Sequence, residues 1–161
     1  MAVIRVDEDP EELTLSLTAE YAAPVARVWN VWADPRLLER WWGPPDHPVT
    51  FDRYEFFTSG ECRYHLTGPD GAVAYGWWRI CVVDEPRRLE FEDGFADADG
   101  NPDAAIDSSH HKVTFEPRGE ASRMVLLSTF ASVEQQEQYA AMGVIDGISA
   151  AIGRIDALVA E

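Results

Sequence analysis

Leu13, Leu15, Leu17 and Ala19 alternate with Thr14, Ser16, Thr18 and Glu20. A period of two marks a half-buried strand. The period then lengthens. Val25, Val28, Trp29 and Trp32 recur at helical spacing behind Pro24, whose fixed φ suits a first helical position. Asp34-Pro35 starts a second helix, with Asp as cap and Pro in the first turn. Leu37, Leu38, Trp41 and Trp42 carry its apolar face, and Gly43-Pro44-Pro45 ends it. Short alternating runs follow: strands are expected over 49–57, 60–66, 73–83 and 88–92. Gly68-Pro69-Asp70-Gly71 and Asp84-Glu85-Pro86 are turn signals between them. Residues 93–109 read as an acidic loop. His111, Val113 and Phe115 then share one strand face, and Met124, Leu126, Ser128 and Phe130 share another.

Ser132-Val133-Glu134-Gln135 fits a capping box, in which the hydroxyl serves an orphan N–H and Gln135 reaches back. Met142, Ile145, Ile148, Ile152, Ile155 and Val159 step by three or four. They predict a single helix of about 27 residues, roughly 40 Å long. Gly143, Gly147 and Gly153 each cost about 1 kcal/mol relative to Ala in a helix interior. Close backbone approach to the sheet or a ligand, or a bend over a cavity, would offset that loss. Consecutive strands joined by tight turns imply an antiparallel sheet, and the helical stripe needs the sheet's apolar face as its partner. The fold class is therefore α+β, with a curved sheet, a long C-terminal helix and two short helices after the first strand. Residues 1–12 read as a loose lead-in and 13–161 as a single domain, a size that holds a core without staples.

Composition narrows the function. The chain has 13 basic and 29 acidic residues, for a net charge of −16. Nucleic acid and anionic membrane surfaces repel such a chain, whereas a basic protein partner would be attracted. No apolar run is long enough to span a bilayer and the first residues carry no signal-peptide core, so a cytoplasmic location is expected. Cys62 and Cys81 form no CxxC pair and have no histidines at zinc spacing, so they are expected as free thiols with no metal.

The segments Ala23-Pro24-Val25-Ala26-Arg27-Val28-Trp29, Trp32-Ala33-Asp34-Pro35, Leu38 and Trp41-Trp42-Gly43-Pro44 resemble the signature of the SRPBCC (START-like, helix-grip) superfamily. The nearer resemblance is to the branch named for the activator of the heat-shock-protein-90 ATPase. Gly68-Pro69-Asp70-Gly71 and Glu85-Pro86-Arg87-Arg88-Leu89 match that branch, as does the helix from Ser132 to Ala160 in length and place. The likeness runs over about residues 13–160. Two features depart from it: Gly147 is followed by Ile148 where a Gly-Trp pair is common, and Ser59-Gly60 stands for a Gly-Gly pair. The resemblance implies a helix-grip fold and a pocket, not one reaction.

A cavity between sheet and helix is accordingly expected, lined by Tyr64, Leu66, Phe91, Phe115, Met124, Leu126, Met142, Ile145 and Ile148, with Trp42 at its mouth and His111 as a polar handle. Trp29 and Trp41 read as structural. Adjacent Trp77 and Trp78 point to opposite faces, and the pattern does not say which is inside. Arg63 would bind an anionic group only if it faced the pocket, and Glu61 and Arg63 instead read as a surface ion pair. Cys62 reads as a buried, inert thiol. The loop from Asp97 begins like a calcium site and then fails, with Pro102 and Ser108 where Gly and Glu are needed, and its length suggests a rim at the pocket mouth. The leading expectation is a cofactor-free binder of a small hydrophobic or amphipathic molecule. The alternatives are a cyclase- or hydrolase-type enzyme using the same pocket and a chaperone-linked interaction module. Homodimerisation is compatible with all three.

Overall fold

The computed structural model describes residues 3–44 and 46–161. Met1, Ala2 and Pro45, including the part expected of Pro45 in ending the second helix, lie outside the described residues. Eight strands form one antiparallel sheet. In chain order they are β1 (Val3–Asp9), β2 (Thr14–Tyr21), β3 (Val49–Tyr54), β4 (Glu61–Thr67), β5 (Val73–Asp84), β6 (Arg88–Ala96), β7 (Ser109–Arg118) and β8 (Ala121–Thr129). Their spatial order is β1-β2-β8-β7-β6-β5-β4-β3. β3 to β8 are thus a meander, and the pair β1–β2 closes onto its last strand. The curved open sheet and its helices give the α+β class expected of the pattern and the helix-grip architecture that the family resemblance implies.

Two helices bridge β2 and β3: α1 (Val25–Ala33) and α2 (Pro35–Trp41). Pro24 sits one position before α1, as its N-cap, rather than at the first helical position. The Asp34 carboxylate accepts the backbone N–H of Arg36 and so caps α2, with Pro35 at its first turn. Val28, Trp29, Trp32, Leu38 and Trp41 are all buried by these helices. Their rings continue into the sheet: Trp32 packs edge-on to Trp41, Trp42 edge-on to Trp78, and Trp78 stacks on Phe91 at 4.1 Å.

Three expectations change. Residues read as a loose lead-in form β1, paired in register with β2 from Arg5–Thr18 to Asp9–Thr14. Their side chains are mostly exposed, so no hydrophobic alternation announces an edge strand held by backbone bonds. β6 runs to Ala96, four residues past the expected end, because Asp93 to Ala96 pair with Trp78 to Tyr75. The third change is in the last helix, which is two: α3 (Val133–Ala141) and α4 (Val144–Val159). Gly143 lies between them at φ +74°, a left-handed conformation that a residue without Cβ adopts at little cost. The expected cap does form, with Ser132 Oγ accepting the Gln135 N–H at 3.1 Å.

The two ends of α4 differ. Ala151, Ile152, Ile155 and Val159 are buried, whereas no residue from 140 to 150 is. Polar links hold the buried end. Tyr21 donates its hydroxyl to the Ile152 carbonyl at 3.0 Å, and Arg27 donates to the Val159 carbonyl at 2.8 Å. The guanidinium of Arg154 reaches the carbonyls of Trp41 and Gly43. A Cβ added at Gly143, Gly147 or Gly153 would meet nothing within 4 Å, so these glycines do not mark close backbone approach. No helix among the described residues is long and apolar enough to cross a membrane.

Candidate functional site

The half-packed end of α4 roofs a space over the inner face of the sheet. The space is about 280 Å³, just below the roughly 300–1,000 Å³ of small-molecule sites. Trp41, Trp42, Gly43 and Pro44, from the end of α2, form one wall. Tyr64, Leu66, Asp93, Phe95, Ser109, His111, Leu126 and Ser128 form the sheet side, continued by Phe130. Tyr139 and Met142 come from α3 and the break, and Val144, Gly147, Ile148, Ala151 and Ile152 from α4.

Seven of the residues expected at a cavity meet here: Trp42, Tyr64, Leu66, His111, Leu126, Met142 and Ile148. Met142 is 65% exposed, because it stands at the helix break rather than on a continuous stripe. Four others are placed elsewhere. Phe91, Phe115 and Met124 are buried in the core under α1 and α2, where the Trp29 and Trp32 rings take the space. Ile145 faces a small crevice beside Leu15 and Glu8. Trp78 is the inward member of its pair, and Trp77 covers Gly94 on the outer face, its N–H donated to the Phe95 carbonyl at 3.0 Å. Glu61 pairs with Arg53, and Arg63 donates to the Cys62 carbonyl. Burial pushes the Cys62 thiol up to about 12, which leaves it un-ionised. The loop 97–108 is organised by Asp97, whose carboxylate accepts the N–H groups of Asp99 and Asn101, and contributes no residue to the lining. The described residues contain no group of three or more His, Cys, Asp or Glu that could hold a metal ion.

Register builds the polar floor. Trp78, Asp93 and Ser109 are cross-strand neighbours on β5, β6 and β7, and Phe91, His111 and Ser128 form the next row on β6, β7 and β8. Tyr64 can lean over them because its cross-strand partner is Gly76: a Cβ there would come within 2.2 Å of the ring. The Tyr64 hydroxyl donates to Asp93 Oδ1 at 2.8 Å. His111 lies between two hydroxyls, with Ser128 Oγ 2.7 Å from Nδ1 and Ser109 Oγ 3.1 Å from Nε2. Its Nε2 is 3.8 Å from Asp93 Oδ2, beyond hydrogen-bond distance. Trp78 Nε1 is close enough to favour the Asp93 carboxylate yet finds no partner with hydrogen-bond geometry.

Burial decides the charge states. It raises Asp93 to about 7, against the pull of the Tyr64 hydroxyl. It lowers His111 to about 3, helped by the neighbouring His110. Neutral His111 has one N–H, so it donates to one serine hydroxyl and accepts from the other. The Ser128–His111 contact has the reach of a nucleophile–base pair. A base so hard to protonate is a weak one near neutrality, and Asp93 does not hold the ring through a hydrogen bond.

Asp93 is the residue that the sequence pattern misplaced. Asp93-Gly94 reads as the start of a loop, yet the alternation of Leu89 and Phe91 extends through Asp93 to Phe95 on the same face. Ser109 likewise extends the alternation of His111, Val113 and Phe115 on β7, whereas Tyr139 carries no such signal and joins the site only through packing.

A comparison with protein families matches residues 22–160 to the one described as activator of Hsp90 ATPase homolog 1-like protein. A solved protein from Arthrobacter aurescens is 47% identical with a TM-score of 0.93, covering 98% of this chain and 92% of its own. Another from Mycobacterium smegmatis is 46% identical with a TM-score of 0.88, covering 98% of both chains. A Silicibacter pomeroyi protein of the same family name, at 21% identity, TM-score 0.73 and coverage of 91% and 97%, shares the fold. No curated protein matches the chain.

Proposed function

We propose that this chain, which belongs to the activator of Hsp90 ATPase homolog 1-like family, binds a small amphipathic molecule between β4–β8 and the broken C-terminal helix. One observation carries the reading: none of the first seven residues of α4 is buried, and beneath them lies an aromatic-walled space whose floor holds one cluster of polar groups. An apolar pocket with a few convergent polar atoms is the usual form of a small-molecule site. The wall that includes Trp41 and Trp42 is chained to the hydrophobic core, so it is preformed, while the roof over residues 144–150 contains no buried residue.

The test is thermal unfolding and tryptophan fluorescence across a panel of small aromatic and aliphatic compounds. A ligand at a hundred times its Kd stabilises the fold by about 2.7 kcal/mol, and Trp41 and Trp42 report its entry. Leu126→Trp fills the space from the sheet side and is expected to abolish binding while leaving the fold intact. Binding that survives L126W, or no stabilisation by any compound, overturns the reading.

The contact between Ser128 and His111 favours a second reading, acyl transfer with Ser128 as nucleophile. Hydrolysis of activated esters that is lost in S128A supports it, and hydrolysis unchanged by S128A removes it.

A further inference from the structure

We infer that the ligand of this cavity carries a basic nitrogen, seated as an ammonium against Asp93 and the rings beside it. The inference rests on the cavity-binding reading and adds the chemical class of the bound head group. Among the described residues Asp93 is the one carboxylate in the lining, and no lysine or arginine lines it. Arg154 reaches the same rim, but its guanidinium is engaged by the carbonyls of Trp41 and Gly43. His111 adds no positive charge, because it is buried away from water with only neutral serine hydroxyls at its ring nitrogens, a setting that favours the uncharged imidazole.

A carboxylate or phosphate ligand would therefore enter a low-dielectric space beside an acid, with no counter-ion to meet it. A cation finds the opposite. Tyr64 is the described side chain that makes a sound hydrogen bond to Asp93, and it holds Oδ1. Oδ2 stands beyond hydrogen-bond distance of His111. The acid thus has acceptor capacity left for an N–H donor, and an ammonium would supply the charge that burial denies its ionised form. Trp42, Tyr64, Phe95 and Tyr139 line the same space and offer ring faces that attract a cation. The net charge of −16 draws cations towards the whole molecule.

The experiment uses the full chain near neutral pH and three probes of one size: 2-phenylethylamine, 2-phenylethanol and phenylacetate, titrated by calorimetry. The amine is expected to bind at least about tenfold tighter than the acid, with the alcohol between them. Asp93→Asn should bring the affinities of the three to within about threefold of one another. Tyr64→Phe keeps the carboxylate and removes its competing donor, so the amine preference should persist. If D93N fails to fold, the same titrations at high salt decide the matter: an amine preference that persists when the surface field is screened supports Asp93, and one that vanishes overturns the inference. Alcohol binding with the acid equal to or tighter than the amine overturns the inference and leaves the cavity reading standing. An amine preference unchanged in D93N also overturns it, since the field of the whole surface would then be the cause. If none of the three binds at millimolar concentration this inference is overturned, and the cavity reading falls with it only when the wider panel also fails to stabilise the fold.

Discussion

Replacing Asp93 by Asn keeps an oxygen acceptor for Tyr64 and removes the ionisable proton. The native carboxyl is held near 7 by burial, against 3.8 in an open chain. A tenfold change in proton affinity corresponds to about 1.36 kcal/mol, so the roughly thousandfold gain at Asp93 sets a ceiling of about 4 kcal/mol. The side chain keeps 22% of its surface open towards the cavity, which lowers the expected effect to about 2–3 kcal/mol. The sign follows from proton binding. Between about pH 4 and 7 the native state holds a proton at Asp93 that the unfolded chain has lost, so this residue's contribution falls as pH rises. His111 works in the other direction. Its native value of about 3 lies below the open-chain 6.5, so the unfolded state binds the extra proton and its contribution falls as pH drops through that window. Up to about pH 6.5 the two slopes nearly cancel in the wild type, which conceals both. The difference between wild type and D93N isolates Asp93, with Tyr64, Trp78, Ser109 and His111 facing it in both proteins. Urea unfolding of the pair should show the advantage of D93N growing by about 1–3 kcal/mol from about pH 5 to 8 and levelling off above 7. An advantage that is flat across the range, or shrinks as pH rises, would mean that the folded protein ionises Asp93 at its ordinary value. Burial would then not govern the proton on Asp93.

Three further outcomes are expected. In a pH titration followed by NMR, the ring signals of His111 should stay those of a neutral imidazole from pH 8 down to about 5, since burial favours the uncharged form; a midpoint near 6.5 counts against its placement. Gly76→Ala drives a Cβ into the Tyr64 ring and parts its hydroxyl from Asp93. A loss of about 1–3 kcal/mol in urea unfolding is expected for such overpacking, and a neutral effect would show that the ring does not lie over the glycine. Tyr21→Phe removes the bond that pins α4 to β2. It should cost about 1 kcal/mol and raise amide exchange in the second half of α4, whereas exchange unchanged there would locate the anchor elsewhere.

Much of the fold could be read along the chain because both its periods are local. The alternation of Leu15, Leu17 and Ala19, the cap at Asp34 and the hydroxyl of Ser132 each act within a few residues, and each forms as expected. β1 escaped notice because Val3–Asp9 are held to β2 by backbone bonds that leave no mark on side-chain order. The break at Gly143 was signalled by glycine but masked by an apolar stripe that continues on both sides of it. Part of the lining was legible in the same way: Tyr64, Leu66, His111, Leu126 and Ile148 followed from strand and helix parity.

The residue order alone settled the α+β class, the two short helices, the family and which residues share a strand face, since these depend on alternation, caps and motif spacing over short stretches. Register and packing decided the rest. They set Asp93, His111 and the two serines side by side from three strands, withdrew Phe91, Phe115 and Met124 into the core beneath the tryptophans, and left the first seven residues of α4 only partly covered above the gap. A side chain's own neighbours along the chain fix which way it faces. Its depth from water, and with it the charge on an acid, depends on residues far away in sequence that only the folded chain brings near.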